Sequence, residues 1–231
     1  MPAAAPATSA ASAVASPADL AKPVLQAPAA PAIAALPRIV FLGDSLTAGL
    51  GLSEAEAYPA LVGKLLAGQG MPVTVVNAGV SGDTSAGGLA RLDWLLTQKP
   101  DILFVALGAN DGLRGQPVAG IAANLHEIVI RARAAGATVV LAGMRMPPNY
   151  GPAYTHDFEA AYRNVAKDLA VPLLPFLLEG VGGIAALNQA DGIHPTAEGQ
   201  RRVAAQVADL LAPVVRNARP RIPPAGTTPA P

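Results

Sequence analysis

"RIVFLGDSLTAGLG", Arg38 to Gly51, joins an apolar run to a turn that carries a serine. An apolar run ends on Gly43-Asp44-Ser45, and small residues follow. A short continuous run of this kind, bounded by turn residues, reads as a strand buried on both faces. The serine behind it is either part of an ordinary tight turn or a hydroxyl presented for chemistry. What the rest of the chain brings to the same place decides between the two.

Four more runs resemble the first: "VTVVN" from Val73, "DILFVALG" from Asp101, "ATVVLAG" from Ala137 and "VPLLPF" from Val171. Segments of helical period separate them. Ser53 to Gly68 opens with Ser53-x-x-Glu56, a capping box, and closes at glycine. Ala86 to Gln98 sets Leu89, Leu92 and Leu96 on one face. Val118 to Ala135 groups Ile121, Leu125, Ile128 and Val129, and Gly136 ends it. Phe158 to Ala170 and Ala197 to Leu211 are the last two. Strand and helix in alternation imply an α/β fold with a parallel sheet covered on both faces. Five strands fit the flavodoxin-like α/β/α arrangement in the order 2-1-3-4-5, whose ligands bind at the carboxyl ends near the first and third strands. Ser45, the Asn77-Ala78-Gly79 loop and the Gly108-Ala109-Asn110-Asp111 loop all fall at that edge.

Both ends differ in composition. Residues 1–37 are mostly Ala, Pro and Ser, and 216–231 are again rich in Pro, so both read as disordered tails around a domain at 38–215. The first tail lacks the basic start of an intact secretory signal, yet Ala13-Val14-Ala15 is a small-residue cleavage pattern. It is the remnant of an export signal or a chance feature of an Ala-rich tail. The first reading puts the protein in the periplasm or outside the cell, the second allows the cytoplasm.

The 231 residues are 52% hydrophobic, ample for a sizeable core, and 16 basic residues balance 16 acidic ones. Neutrality argues against a nucleic-acid partner and against docking on anionic lipid. No apolar run nears the ~18 residues of a membrane span, so no stable membrane insertion is expected. Without cysteine there are neither disulfides nor thiolate metal sites.

A serine hydroxyl needs a base to take its proton, and histidine is the usual one. Of the three histidines, His126 lies inside a helical pattern and His156 near a helix start. His194 lies in "ADGIHPTAEG", a loop that leads into the last helix. Asp191, three residues earlier, is spaced to orient the imidazole and stabilise the imidazolium. Donors for a developing oxyanion are the backbone N–H of Ser45, that of Gly79 and the Asn110 side-chain amide. Singly, Gly79 also reads as a turn glycine and Asn110 as an Asx-turn residue. Their shared sheet edge favours the joint reading. Asp44 suits a structural role, bonding nearby backbone N–H groups.

These residues resemble the SGNH hydrolases, the GDSL esterases and lipases. "FLGDSLTAG", "NAGVSGDTS", "LGANDGLRG" and "DGIHPTAEG" look like that family's four blocks, in family order and over nearly the whole domain. The resemblance implies Ser45 as nucleophile, Gly79 and Asn110 as oxyanion donors, and Asp191 and His194 completing a triad. "MRMPPNYGPAY" and "VPLLPF" resemble the bacterial arylesterase and multifunctional acyl-CoA thioesterase/lysophospholipase subgroup, whose members are commonly exported. The Gly- and Ala-rich "EGVGGIAALNQA" departs from it, which bears on the acyl-pocket wall. A serine esterase or thioesterase is expected, a monomer without cofactor or metal, acting on small-molecule esters or thioesters. Lysophospholipase or carbohydrate acetylesterase activity on the same fold is the alternative. Met144 to Tyr154 follows the fourth strand and is expected to wall the acyl site, with Met146 and Tyr150 touching substrate.

Three other classes fit poorly. A nucleotide binder wants a Gly-rich phosphate loop, and neither Gly-x-x-x-x-Gly-Lys nor a full Gly-x-Gly-x-x-Gly occurs. A metallohydrolase wants clustered ligands, but the histidines are scattered and there is no His-Glu-x-x-His. A lipid- or carbohydrate-binding module would lack a triad member, and none is missing.

Overall fold

The computed structural model describes residues 35–218. The expectations for the two tails lie largely outside the described residues. The chain runs through β1 (Arg38–Gly43), α1 (Ser45–Ala48), α2 (Tyr58–Gly68), β2 (Thr74–Gly79), α3 (Ser85–Ala90), α4 (Leu92–Leu96), β3 (Ile102–Ala106), α5 (Ala109–Leu113), α6 (Val118–Ala134), β4 (Thr138–Ala142), α7 (Pro152–Asp168), β5 (Leu173–Leu174) and α8 (Ala197–Asn217). The five strands are parallel and ordered β2-β1-β3-β4-β5, the order expected.

Burial explains the strand placement. Ile39, Val40, Phe41 and Leu42 of β1 and Ile102 to Val105 of β3 are completely buried, as central strands with helices on both faces must be. Each such side chain contributes roughly 1.5–3 kcal/mol of burial. Helix α2 packs on α8, and α6 packs on α3 and α7. The Phe41 ring lies 5.7 Å from Tyr58 and 5.3 Å from Phe104. The Tyr58 hydroxyl, deep in this core, is satisfied by Thr47 Oγ1 at 2.8 Å, so the sheet's central aromatic cluster is tied to α1.

Several elements differ from the sequence reading. The fifth strand is only Leu173–Leu174, because the flanking Pro172 and Pro175 have no N–H to add to the ladder. Glu56 does close on Ser53, accepting from its N–H at 3.1 Å and its hydroxyl at 2.7 Å. That box caps a 3-10 turn at Glu54–Glu56, and α2 begins only at Tyr58. The single helix expected over Ala86–Gln98 is two, broken at Arg91 (φ −99°, ψ 3°). Leu92 and Leu95 are its buried leucines, with Leu89 and Leu96 only partly covered. Helix α7 starts at Pro152, whose missing N–H costs nothing in a first turn. Helix α8 continues through Pro213 to Asn217.

Candidate active site

The site begins where β1 ends. Asp44 precedes α1 and its Oδ1 accepts the Leu46 N–H at 3.0 Å, an N-cap bond and the structural part expected of it. Its carboxyl is 2% exposed. Burial pushes its pKa up to about 6, against the Leu46 N–H bond and the nearby His194, which pull it down. Ser45 follows as the first residue of α1, so the strand's buried end delivers its hydroxyl to the edge of the sheet.

The structure brings Ser45, His194 and Asp191 into one line. Ser45 Oγ lies 2.9 Å from His194 Nε2, and His194 Nδ1 lies 2.7 Å from Asp191 Oδ2. With the Nδ1–H donating to the carboxylate, Nε2 presents a lone pair to the Ser45 hydroxyl. Asp191 Oδ1 accepts the N–H groups of His194 at 3.0 Å and Ile193 at 2.9 Å. The His194 N–H, the imidazole and the Ile193 N–H, in that order, hold the Asp191 carboxyl well below the usual carboxylate range. His126 and His156 are both exposed and lie outside this arrangement.

Asn110 is also here. Its Nδ2 donates to the Asp83 carbonyl at 2.9 Å and has Asp44 Oδ2 only at 3.5 Å. The first bond orients the amide, and the second is too long to hold its other N–H firmly.

Gly79 does not join them. Its N–H donates to Asn77 Oδ1 at 3.0 Å, while Asn77 Nδ2 donates to the Thr47 carbonyl at 2.9 Å. It is still within the sheet, in register with Gly43. It must be glycine because a Cβ would stand 2.2 Å from the Ala48 nitrogen. Gly82, three residues on, lines the cavity together with its neighbour Ser81. No acceptor for the N–H of Gly82 or of Ser45 is present among the described residues.

A mostly apolar cavity of about 620 Å³ opens over Ser45. Leu50, Leu113 and Ile193 line it, with Met144 to Pro148 on one wall and Phe176, Leu178, Gly182 and Gly183 on another. Met146 is therefore in the wall, as expected. Tyr150 is not. Its hydroxyl donates to the Leu113 carbonyl at 2.8 Å and its ring stands 6.1 Å from Tyr154, so it braces the wall from outside. Among the described residues no group of three or more His, Asp or Glu could hold a metal ion.

Two glutamines escaped sequence reasoning. The buried Gln200 of α8 accepts the Tyr58 N–H at 2.8 Å and donates to the Leu46 carbonyl at 3.2 Å. Gln189 Nε2 donates to the carbonyls of Leu50 at 2.7 Å and Pro195 at 3.0 Å. Both tie the His194 end of the chain to the Ser45 turn. Their partners in that turn lie 139 and more residues away, so no local pattern marks them.

A serine hydroxyl, an imidazole, a carboxylate and free N–H groups beside an apolar cavity have the chemistry that acyl transfer requires. Comparison with known proteins agrees. Residues 41–202 match the GDSL-like lipase/acylhydrolase family. The chain is 47% identical to esterase TesA of Pseudomonas aeruginosa over 79% of its own length and 91% of the relative's. It is 42% identical to thioesterase 1/protease 1/lysophospholipase L1 of Escherichia coli K12, over 80% and 88%. It resembles the crystal structure of the psychrotrophic esterase EstA from Pseudoalteromonas, inhibited by monoethylphosphonate, at a TM-score of 0.74 and 35% identity, covering 78% of this chain and 99% of that one. From fold, site geometry and these matches, the chain belongs to the GDSL-like lipase/acylhydrolase family, the SGNH hydrolases.

Proposed function

We propose that the enzyme hydrolyses carboxylic esters and acyl thioesters through an acyl-enzyme formed on Ser45. The observation that carries this is the Asp191–His194–Ser45 line of 2.7 and 2.9 Å, ending under an apolar cavity. His194 Nε2 takes the Ser45 proton as Oγ attacks the acyl carbon, then returns it to the leaving alcohol or thiol. Asp191 keeps the imidazole in the required tautomer and stabilises the imidazolium. The oxyanion is received by the Ser45 N–H, the Asn110 amide and the Gly82 N–H, the last in place of Gly79. Water, deprotonated by His194, then releases the acid.

The relatives' names span esterase, thioesterase and lysophospholipase, and a largely hydrocarbon-lined cavity suits the acyl part that all three share. The Asp191–His194–Ser45 line is complete within this chain, so the proposed reaction needs no second copy. Among the described residues no helix is long and apolar enough to cross a membrane. Export to the periplasm is part of this reading and is supported by Ala13-Val14-Ala15 and the subgroup resemblance. The test is a series of p-nitrophenyl esters from acetyl to palmitoyl, run beside acyl-CoA thioesters. Turnover of both classes, abolished by a phosphonate, is expected. Turnover that survives the phosphonate overturns the reading.

A further inference from the structure

The break between α3 and α4 is where Arg91 sits, and its guanidinium reaches back to the site. Nε donates to Asp83 Oδ2 at 2.8 Å, and Nη2 donates to the Gly43 carbonyl at 3.0 Å. The same Gly43 carbonyl accepts the Val80 N–H at 3.0 Å, and the Val80 carbonyl accepts the Asp83 N–H at 3.0 Å. Gly43 is the last residue of β1, one step before Asp44-Ser45. Asp83 follows Gly82, and its carbonyl is the one that orients Asn110. One guanidinium thus spans the base of the nucleophile turn and the loop that supplies or orients two oxyanion donors.

The Asp83 carboxylate is fitted to this place. Its Oδ1 accepts the Thr84 N–H at 3.1 Å. A Cβ at Gly87 would stand 1.9 Å from that oxygen, so only glycine lets the carboxylate lie over the first turn of α3. The two side chains are 21% and 11% exposed. A pair this buried loses much of its Coulombic gain to desolvation and is a weak device for stability alone. Its geometry has a better explanation in what it connects.

We infer that Arg91 is a positioning residue for the oxyanion site: acting through Asp83, it holds the Asn110 amide and the Gly82 N–H in register with Ser45. This rests on the reaction proposed above. Asn110→Ala removes the donor through which most of the effect passes, so the two residues are coupled.

The test is a double-mutant cycle on the full chain with p-nitrophenyl acetate. Arg91→Gln is expected to lower kcat about 10- to 100-fold, less than the roughly 10²- to 10³-fold cost of removing an oxyanion donor outright, with KM within about threefold. In an Asn110→Ala background the same change should cost less than about threefold. Gly87→Ala, which displaces Asp83 and leaves Arg91 intact, should reproduce the pattern. If Arg91→Gln does not fold, the near-isosteric Asp83→Asn takes its place in the cycle. An undiminished loss in the double mutant, or a loss confined to KM, overturns the inference. Ser45→Ala separates the two levels: activity surviving there removes the underlying reaction, whereas an inactive Ser45→Ala with an additive cycle removes only the role of Arg91.

Discussion

Ser45 and His194 meet across 149 residues, and the molecule holds them in opposite ways. Ser45 is 8% exposed, at the end of a strand buried from Ile39 onward, beside a buried Asp44 and next to Leu46, whose carbonyl is held by Gln200 of α8. His194 stands in a loop whose Asp191 side chain is 45% exposed. That loop supplies its own bonding: Asp191 with the Ile193 and His194 N–H groups, and the Gln189 N–H to the His194 carbonyl at 2.7 Å. Ser45 inherits its position from the core, whereas His194 is held by a self-bonded turn pinned at Leu50. Changes on the base side should therefore remove activity and spare stability, and changes on the nucleophile side should move both.

The largest effect is expected from His194→Ala, a loss of kcat on the order of 10⁴-fold or more with melting temperature within a few degrees of the parent. His126→Ala and His156→Ala should keep most activity, since both lie outside the cavity. A large fall in melting temperature for His194→Ala, seen by calorimetry, would break the contrast. Next is Asp191→Asn, with a loss of about 10³- to 10⁴-fold. The Asp191 carboxyl is depressed in the folded enzyme, so its stabilisation is present above its unfolded value near 4 and is lost as pH falls through the folded value.

On the nucleophile side, Asp44 gives the opposite sign. Its value is raised from 3.8 to about 6 by burial. It costs nothing below its unfolded value, a growing amount from pH 4 to 6, and about 3 kcal/mol above that. Asp44→Asn keeps an acceptor for the Leu46 N–H, so denaturation should find it more stable by up to about 3 kcal/mol at pH 8 and unchanged near pH 3. Equal stability at both pH values would mean that the carboxyl is not desolvated in solution. The smallest effects belong to the wall. Met146→Ala should flatten the dependence on acyl length, each buried methylene being worth up to ~0.8 kcal/mol. Tyr150→Phe should leave that dependence intact. A flattened profile for Tyr150→Phe would return its hydroxyl to the acyl site.

The same contrast explains what could be read from the chain. The buried strand before Ser45, the order of the sheet and the Asp191-x-x-His194 turn are local patterns, and the structure brings these residues together as read. Gly79 and Tyr150 were harder because local sequence does not say where an element ends. "NAGVSGDTS" contains two glycines, and only the register of β2 against β1 shows that Gly79 is still inside the sheet and Gly82 beyond it. The turn at Pro148–Tyr150 directs the tyrosine toward α5 and α7. Gln189, Gln200 and Arg91 each make a bond to a residue 48 or more positions away, Arg91 to Gly43, Gln189 to Leu50 and Gln200 to Leu46, and nothing around them in sequence announces it.

On the proposed mechanism, Ser45 is the residue acylated in turnover. Mass spectrometry of the enzyme after fluorophosphonate treatment tests it most directly, by locating the covalent adduct on a peptide. One adduct on Ser45, accompanying complete loss of esterase activity and absent from Ser45→Ala, is the predicted result. A full-strength adduct on the Ser45→Ala protein, at any other residue, would contradict it.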